Sequence, residues 1–265
     1  MPSRPPVSPA LAPFVRTVGY FEFDLAHRRE RVLPTGSAQL LLNLADDRLT
    51  SEAAGTAHRT AGAALSGVWS SHAEIDPAQQ RSIVCVGFVP GGAYPFFSAP
   101  AAATAGSLVD LGDLWGRDGA VLRERLLEAP TVEARLRIVE EALLARAVRP
   151  LRIDPAVRHA VSSLHRGDRV GDVVERLGTT PKRFIRTFAD QVGVTPKRFA
   201  RIRRFQRVLQ AVPHDRPVDW AALAASSGYA DQAHLVHEFR TFAGVSPTGY
   251  RARSAAERNH VVLPD

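Results

Sequence analysis

Nine basic side chains and a single acid fall between positions 182 and 207: Lys182, Arg183, Arg186, Lys197, Arg198, Arg201, Arg203, Arg204 and Arg207 against Asp190. Arginine presents a planar fork of donors that matches phosphate oxygens and, in a DNA major groove, the O6 and N7 edge of guanine. The chemistry open to this segment is polyanion binding, with base reading wherever a side chain reaches a base edge. Charge is concentrated there. Residues 1–150 hold 15 arginines and 16 acids, whereas residues 151–265 hold 19 Lys and Arg against 11 acids, within a net charge of +7 for the whole chain. A surface charged only for solubility mixes both signs along its length.

Other chemistries find weaker support. Cys85 is the only cysteine, which excludes an intrachain disulfide and a cysteine-based zinc site, and it sits in an apolar strand-like stretch as a small core residue. His27, His58 and His72 stand apart, and His72-Ala73-Glu74 supplies two metal ligands at most, so no metal or cofactor is expected. No Gly-x-Ser-x-Gly elbow occurs, and Gly91-Gly92 lacks the Gly-Lys-Ser/Thr of a phosphate loop. Trp69, Phe88, Phe96 and Phe97 are candidates to line a ligand pocket, although strand aromatics more often belong to a core. No apolar run reaches the ~18 residues of a membrane span, and the proline-rich start lacks the pattern of a secretory signal. A cytoplasmic protein is expected.

These residues need elements to hold them. VRTVGYFEFD, AQLLLNLA, ALSGVWSSH and SIVCVGFVP read as strands without intervening helices, which predicts an antiparallel sheet or small barrel in the N-terminal half. The period turns helical between Gly116 and Arg149, with Thr131 as an N-cap and an apolar stripe that predicts self-association. A boundary is placed near Pro150. Seven helices are expected beyond it, four of them opening with an acceptor and then proline: Asp154-Pro155, Thr180-Pro181, Thr195-Pro196 and Ser246-Pro247. The helix from Pro196 runs about 17 residues, or ~25 Å, before Pro213.

One unit recurs at a spacing of about fifty residues. Val170, Val173, Val174 and Gly178 correspond to Trp220, Leu223, Ala224 and Gly228; Phe188, Gly193, Val194, Thr195 and Pro196 correspond to Phe239, Gly244, Val245, Ser246 and Pro247. Each copy reads as a short helix, a glycine turn and a second helix, the pattern of a helix-turn-helix. In the first copy Phe184 and Phe188 face inward and Lys182, Arg183 and Arg186 outward. In the second, Asp231 caps a helix carrying Gln232, His234, His237, Glu238 and Arg240, with Leu235 and Phe239 inward. Gln232 has the donors and acceptors to pair with adenine. Phosphate attraction is expected mainly from the first copy and from Lys197, Arg198, Arg201, Arg204 and Arg207 after it.

The stretch GTTPKRFIRTFADQVGVTPKRFARIRRFQRVLQ, followed by LAASSGYADQAHLVHEFRTFAGVSPTGYR, resembles the DNA-binding domain of AraC/XylS-family regulators over about 100 residues. The resemblance implies two recognition helices joined by a long helix over residues 196–212 and docked in successive major grooves. Matching positions imply base reading by Lys182, Ile185 and Arg186 and by Gln232, Ala233 and His237, with Thr180 at the start of the first recognition helix. RNA polymerase is implied as a partner. PALAPFVRTVGYFEF, RVLPTGSAQLLLNL, VGFVPGGAYPFF and VDLGDLWG resemble, more weakly, the cupin-like sensor domains that precede such regulators, implying a small barrel with dimerising helices. The expected protein is α+β, with a cupin-like sensor and dimerisation domain over residues 1–150, a DNA-binding domain over 151–253 and a tail over 254–265. Its expected partners are double-stranded DNA, a small-molecule effector and a second copy of itself. An enzyme built on the barrel, with an appended DNA-binding domain, is the alternative.

Overall fold

The computed structural model describes residues 3–213 and 217–263. The N-terminal half supplies β1 (Ser3–Arg4), β2 (Val15–Glu22), β3 (Glu30–Val32), β4 (Gln39–Asn43) and β5 (Arg48–Ala53). It continues with β6 (Thr56–Ala61), β7 (Ala63–Ser66), β8 (Ala73–Ile75), β9 (Ser82–Phe88) and β10 (Leu108–Asp110). An eleventh strand, β11 (His260–Val262), comes from the far end of the chain. One sheet has the order β1-β2-β9-β4-β7-β10 and the other β11-β3-β8-β5-β6, every pairing antiparallel.

The four strands legible in the sequence are β2, β4, β7 and β9, the interior of the first sheet. Its strands are apolar on both faces. Val18, Tyr20, Leu40, Leu42, Val84 and Val86 pack into a core shared with three helices, α1 (Leu111–Trp115), α2 (Arg117–Glu128) and α3 (Val132–Ala145). Phe21, Leu41, Ile83 and Cys85 alternate with them and face the second sheet. The expected barrel is not closed: among the described residues no ladder joins the sheets, whose short strands β1, β3, β8 and β10 have two or three residues each. Most of the apolar stripe expected to drive self-association is covered within the domain, with Leu122, Leu126, Leu136, Val139 and Leu143 buried against the first sheet, whereas Val121 and Leu127 of α2 are exposed.

The C-terminal half contains α4 (Pro155–Arg166), α5 (Val170–Arg176), α6 (Pro181–Val192), α7 (Pro196–Ala211), α8 (Trp220–Ser226) and α9 (Gln232–Ala243). Asp154, Thr180 and Thr195 cap their helices through the amides of Ala156, Arg183 and Arg198, each with proline at the first helical positions. The fourth such start, Ser246-Pro247, makes only the 3₁₀ turn Pro247–Gly249, because the Ser246 hydroxyl takes the Gly249 amide and Tyr250 leaves as extended backbone. Among the described residues, six α-helices and this turn stand where seven helices are expected.

Each helix-turn-helix unit has its own core, and each core takes in a side chain from the N-terminal half. Val68 packs with Val157, Leu164, Val173, Phe184 and Phe188 in the first unit. Leu33 packs with Phe205, Leu235, Phe239 and Phe242 in the second. The expected tail is likewise docked: β11 pairs with β3 in the register His260 with Val32, Val261 with Arg31 and Val262 with Glu30. Val261 is buried in the second unit's core. The free edge of β3 would otherwise expose unpaired backbone groups.

Candidate nucleic-acid interface and inter-sheet cavity

Caps and glycines fix the two recognition helices. Gly178, at φ +58°, turns the chain out of α5, and the Thr180 hydroxyl accepts the Arg183 amide at 3.4 Å to start α6. Phe184 and Phe188 then point inward, leaving Lys182, Arg183, Ile185 and Arg186 exposed on one face. Gly228, at φ +81°, makes the same turn after α8, and the Asp231 carboxylate accepts the His234 amide at 2.7 Å. Leu235 and Phe239 point inward from α9, while Gln232, Ala233, His237 and Arg240 are exposed. Ile185 is 42% exposed, which is unusual for an isoleucine on a helix with a well-formed apolar face and suits contact with a thymine methyl.

The basic residues divide into two groups. Among the described residues, the side chains of Lys182, Arg183, Arg186, Lys197 and Arg240 make no hydrogen bond or ion pair, and all five are exposed. The arginines further along α7 are engaged. Arg201 Nε donates to Glu238 Oε1 at 2.5 Å, and Arg204 Nη2 donates to Glu238 Oε2 at 3.0 Å. Arg204 also lies over the Tyr229 ring, 4.5 Å from its centroid. Arg207 donates to the carbonyls of His165 and Ser227, Arg198 to that of Ser70, and Arg203 to that of Thr35. These arginines tie α7 to the second unit, to α4 and to the N-terminal half. Arg201 and Arg204 still border, with Lys197, Arg207, His234 and His237, an open groove between the two units.

Glu238 was read from the sequence as one of several polar groups on the exposed face of α9. It is instead buried, 2% exposed. Burial works against its charge, and the hydrogen bonds and charges of Arg201 and Arg204 outweigh that, holding its carboxyl below the usual carboxylate range. The spacing contains the signal: Leu235, Glu238, Phe239 and Phe242 lie at i, i+3, i+4 and i+7, the inward face of a helix. His234 sits beside it, Nε2 4.0 Å from Glu238 Oε1, with its ring edge-on to Tyr229.

Between the two sheets lies a cavity of about 320 Å³. Of the four aromatic candidates, Trp69 lines it, its indole nitrogen donating to Ser66 Oγ at 2.8 Å. Phe88, Phe96 and Phe97 lie instead in the core under the helices, Phe97 stacked on Trp115. Phe97 also borders a second, much smaller void. Residues from the end of the chain, among them Arg253, Glu257, Asn259 and His260, form part of the wall of the larger cavity, which no local pattern in the sequence anticipates. Among the described residues no group of three or more His, Cys, Asp or Glu is placed to hold a metal ion, and no helix is long and apolar enough to cross a membrane.

A helix-turn-helix domain family model matches residues 173–253, and a model of a domain of unknown function matches residues 3–110. No curated protein matches the chain. Among solved structures, ToxT from Vibrio cholerae is similar at 12% identity, covering 87% of this chain and 96% of that one, with a TM-score of 0.46. An apo variant of ToxT, also 12% identical, covers 92% of this chain and 97% of that one at a TM-score of 0.47. A third ToxT structure, with bound unsaturated fatty acid, is 12% identical over 87% of this chain and 92% of that one at a TM-score of 0.44.

Proposed function

We propose that this chain, whose C-terminal domain is an AraC-type helix-turn-helix domain, is a sequence-specific DNA-binding transcription regulator controlled by a small-molecule effector in its N-terminal domain. The observation that carries the reading is the pair of capped recognition helices held on one connector. The exposed cations of α6 have no partner among the described residues, while arginines of α7 are used to fix α9 relative to α6.

Lys182, Ile185 and Arg186 are assigned to base edges in one major groove, and Gln232, Ala233 and His237 to those in the next. Arg183, Lys197 and Arg240 are assigned to phosphates, with Thr180 and His234 at the two helix starts. Arg201, Arg204 and Arg207 are assigned first to holding the two units together and Arg198 to holding α7 against the N-terminal half; all four add positive charge beside the DNA-reading face. RNA polymerase is the partner that the family implies. For a homodimer, the apolar side chains that this helix pair leaves exposed are Val121 and Leu127 of α2.

The inter-sheet cavity is the effector site in this reading. Its rim includes Pro34 and Thr35, whose carbonyls accept Gln206 Nε2 at 2.8 Å and Arg203 Nη1 at 3.2 Å from α7. An occupant that moves this loop therefore acts on the helix that joins the two DNA-reading units. Footprinting of the full chain on a selected duplex tests the DNA reading: two protected patches about one helical turn, ~34 Å, apart on one face are expected. A single patch would refute simultaneous docking.

A further inference from the structure

Two hydroxyls in the cavity wall have nothing to bond to among the described residues. Ser37, in the loop entering β4, is 6% exposed, and Ser51, within β5 of the opposite sheet, is 8% exposed. Neither Oγ has a hydrogen-bond partner. An unsatisfied buried polar group costs about 1–3 kcal/mol, and two on one cavity mark a place where an occupant supplies the missing partners.

The charges on the wall behave differently, since each is already paired. Arg253 donates to both oxygens of Glu30 and to both oxygens of Glu257. His260 Nδ1 is bonded to Glu30, which also takes His27 Nε2 at 2.7 Å. Glu257 further accepts the Ser254 hydroxyl at 3.2 Å. A carboxylate or ammonium entering the cavity would lose its hydration and meet no cation or anion free to replace it. The remaining wall carries no charge: apolar and aromatic side chains, among them Phe21, Leu41, Trp69 and Ile75, stand beside uncharged polar ones such as Gln39, Thr50 and Gln80. The volume lies at the small end of the ~300–1,000 Å³ range of ligand pockets.

We infer that the cavity binds an uncharged, largely apolar molecule of one or two rings, which hydrogen-bonds Ser37 and Ser51 from opposite sheets beneath a roof formed by the end of the chain. This rests on the reading of the N-terminal domain as the effector domain and names the effector's chemical class. Binding at Ser37 also engages the loop that α7 grips: Thr35 Oγ1 accepts the Ser37 amide, and Gly36 runs against the Phe199 ring at a backbone φ of +79°.

The test uses the full chain and two probes of the same ring, 2-naphthol and 2-naphthoate, at neutral pH, where the first is uncharged and the second an anion. Affinity is read by calorimetry, and location by the change in affinity when the two cavity serines are replaced. Saturable binding of 2-naphthol is expected, at least about tenfold tighter than 2-naphthoate. The double variant Ser37→Ala, Ser51→Ala is expected to weaken 2-naphthol by roughly five- to twentyfold. Circular dichroism and DNA binding serve as controls for its fold. Equal or tighter binding of 2-naphthoate, an unaffected double variant, or no saturable binding of 2-naphthol at about millimolar concentration each overturns the inference. DNA affinity of the same preparations, without probe, separates the two readings: its absence refutes the regulator and leaves the cavity result standing.

Discussion

Arg253 Nη1 donates to both carboxylate oxygens of Glu30, at 3.1 and 3.0 Å, across 223 residues of sequence. The contact joins the end of the DNA-binding half to a fully buried acid on β3. His27 and His260 complete the shell around Glu30. Burial opposes the charge of Glu30, and the hydrogen bond and charge of His260, the hydrogen bond of His27 and the charge of Arg253 outweigh it, holding the carboxyl at about 2 against an ordinary value of 4.5.

A folded-state value below the unfolded one means that this contribution is fully present above about pH 4.5 and is lost as pH falls through about 2. Its size is on the order of 3 kcal/mol. Amide exchange at Val261 and Val262 should therefore be equally slow at pH 7 and 5, once corrected for intrinsic rates, and should accelerate progressively below about pH 4. Protection that persists unchanged to pH 2 would show that strand pairing holds the segment without Glu30. At pH 7, Glu30→Gln should release the same strand.

Replacing Arg186 with Ala should cost about 1–3 kcal/mol on the preferred duplex and relax the preference at one base pair, with little loss on random DNA. Lys197→Ala should weaken both DNAs alike and reduce the salt slope by about one. Salt titrations of both variants on both duplexes distinguish the roles, and equal losses for Arg186→Ala on the two DNAs would remove it from the base readers.

Glu238→Ala should leave Arg201 and Arg204 facing each other without a counter-charge. The acid is buried and its partners about a quarter to a third exposed, so a loss of roughly 1–3 kcal/mol in unfolding free energy is expected after allowance for solvent screening. The informative readout is the footprint: α9 loses its fixed relation to α6, and the second protected patch should weaken more than the first.

Leu33→Ala should destabilise the second helix-turn-helix unit by about 2–4 kcal/mol although the substitution lies in the N-terminal half. The chain ending at Arg253 and starting at Leu151 should fold as helices, since its caps and most of its core are internal, but at a lower melting temperature than the same helices in the full chain. It lacks Leu33, Val68 and Val261. Equal stability of fragment and full chain, measured by thermal circular dichroism, would make these three side chains incidental to the cores they enter.

Gly244 at φ +67° runs so close to the N-terminal half that a Cβ there would lie 2.4 Å from His72 Cε1 and 2.7 Å from Arg31 Nη1. Gly244→Ala should thus loosen the contact between the halves as well as strain the end of α9. Increased cleavage by a protease near residues 149–153 would report it, and an unchanged cleavage rate would show that the halves adjust without parting.

The sequence by itself determined what depends on neighbours within a turn or two: the helix starts at Asp154, Thr180 and Thr195, the turns at Gly178 and Gly228, the inward phenylalanines of α6, and the doubly apolar strands of the first sheet. Each is set by local backbone preference, capping and periodicity. The second sheet was not legible, because β5 and β6, RLTSEA and TAHRTA, have no continuous apolar face and hold together through pairing with distant or equally polar partners. Tertiary structure decided which cations remain free for DNA: Arg201 and Arg204 have Glu238 within reach, and Arg204 also the Tyr229 ring, while Lys182 and Arg186 face outward. It also decided the cavity. Ser37, Ser51 and Arg253 are ordinary polar residues along the chain, and they share a wall only because the last strand crosses back to the edge of β3, a pairing between segments more than two hundred residues apart that no local signal encodes.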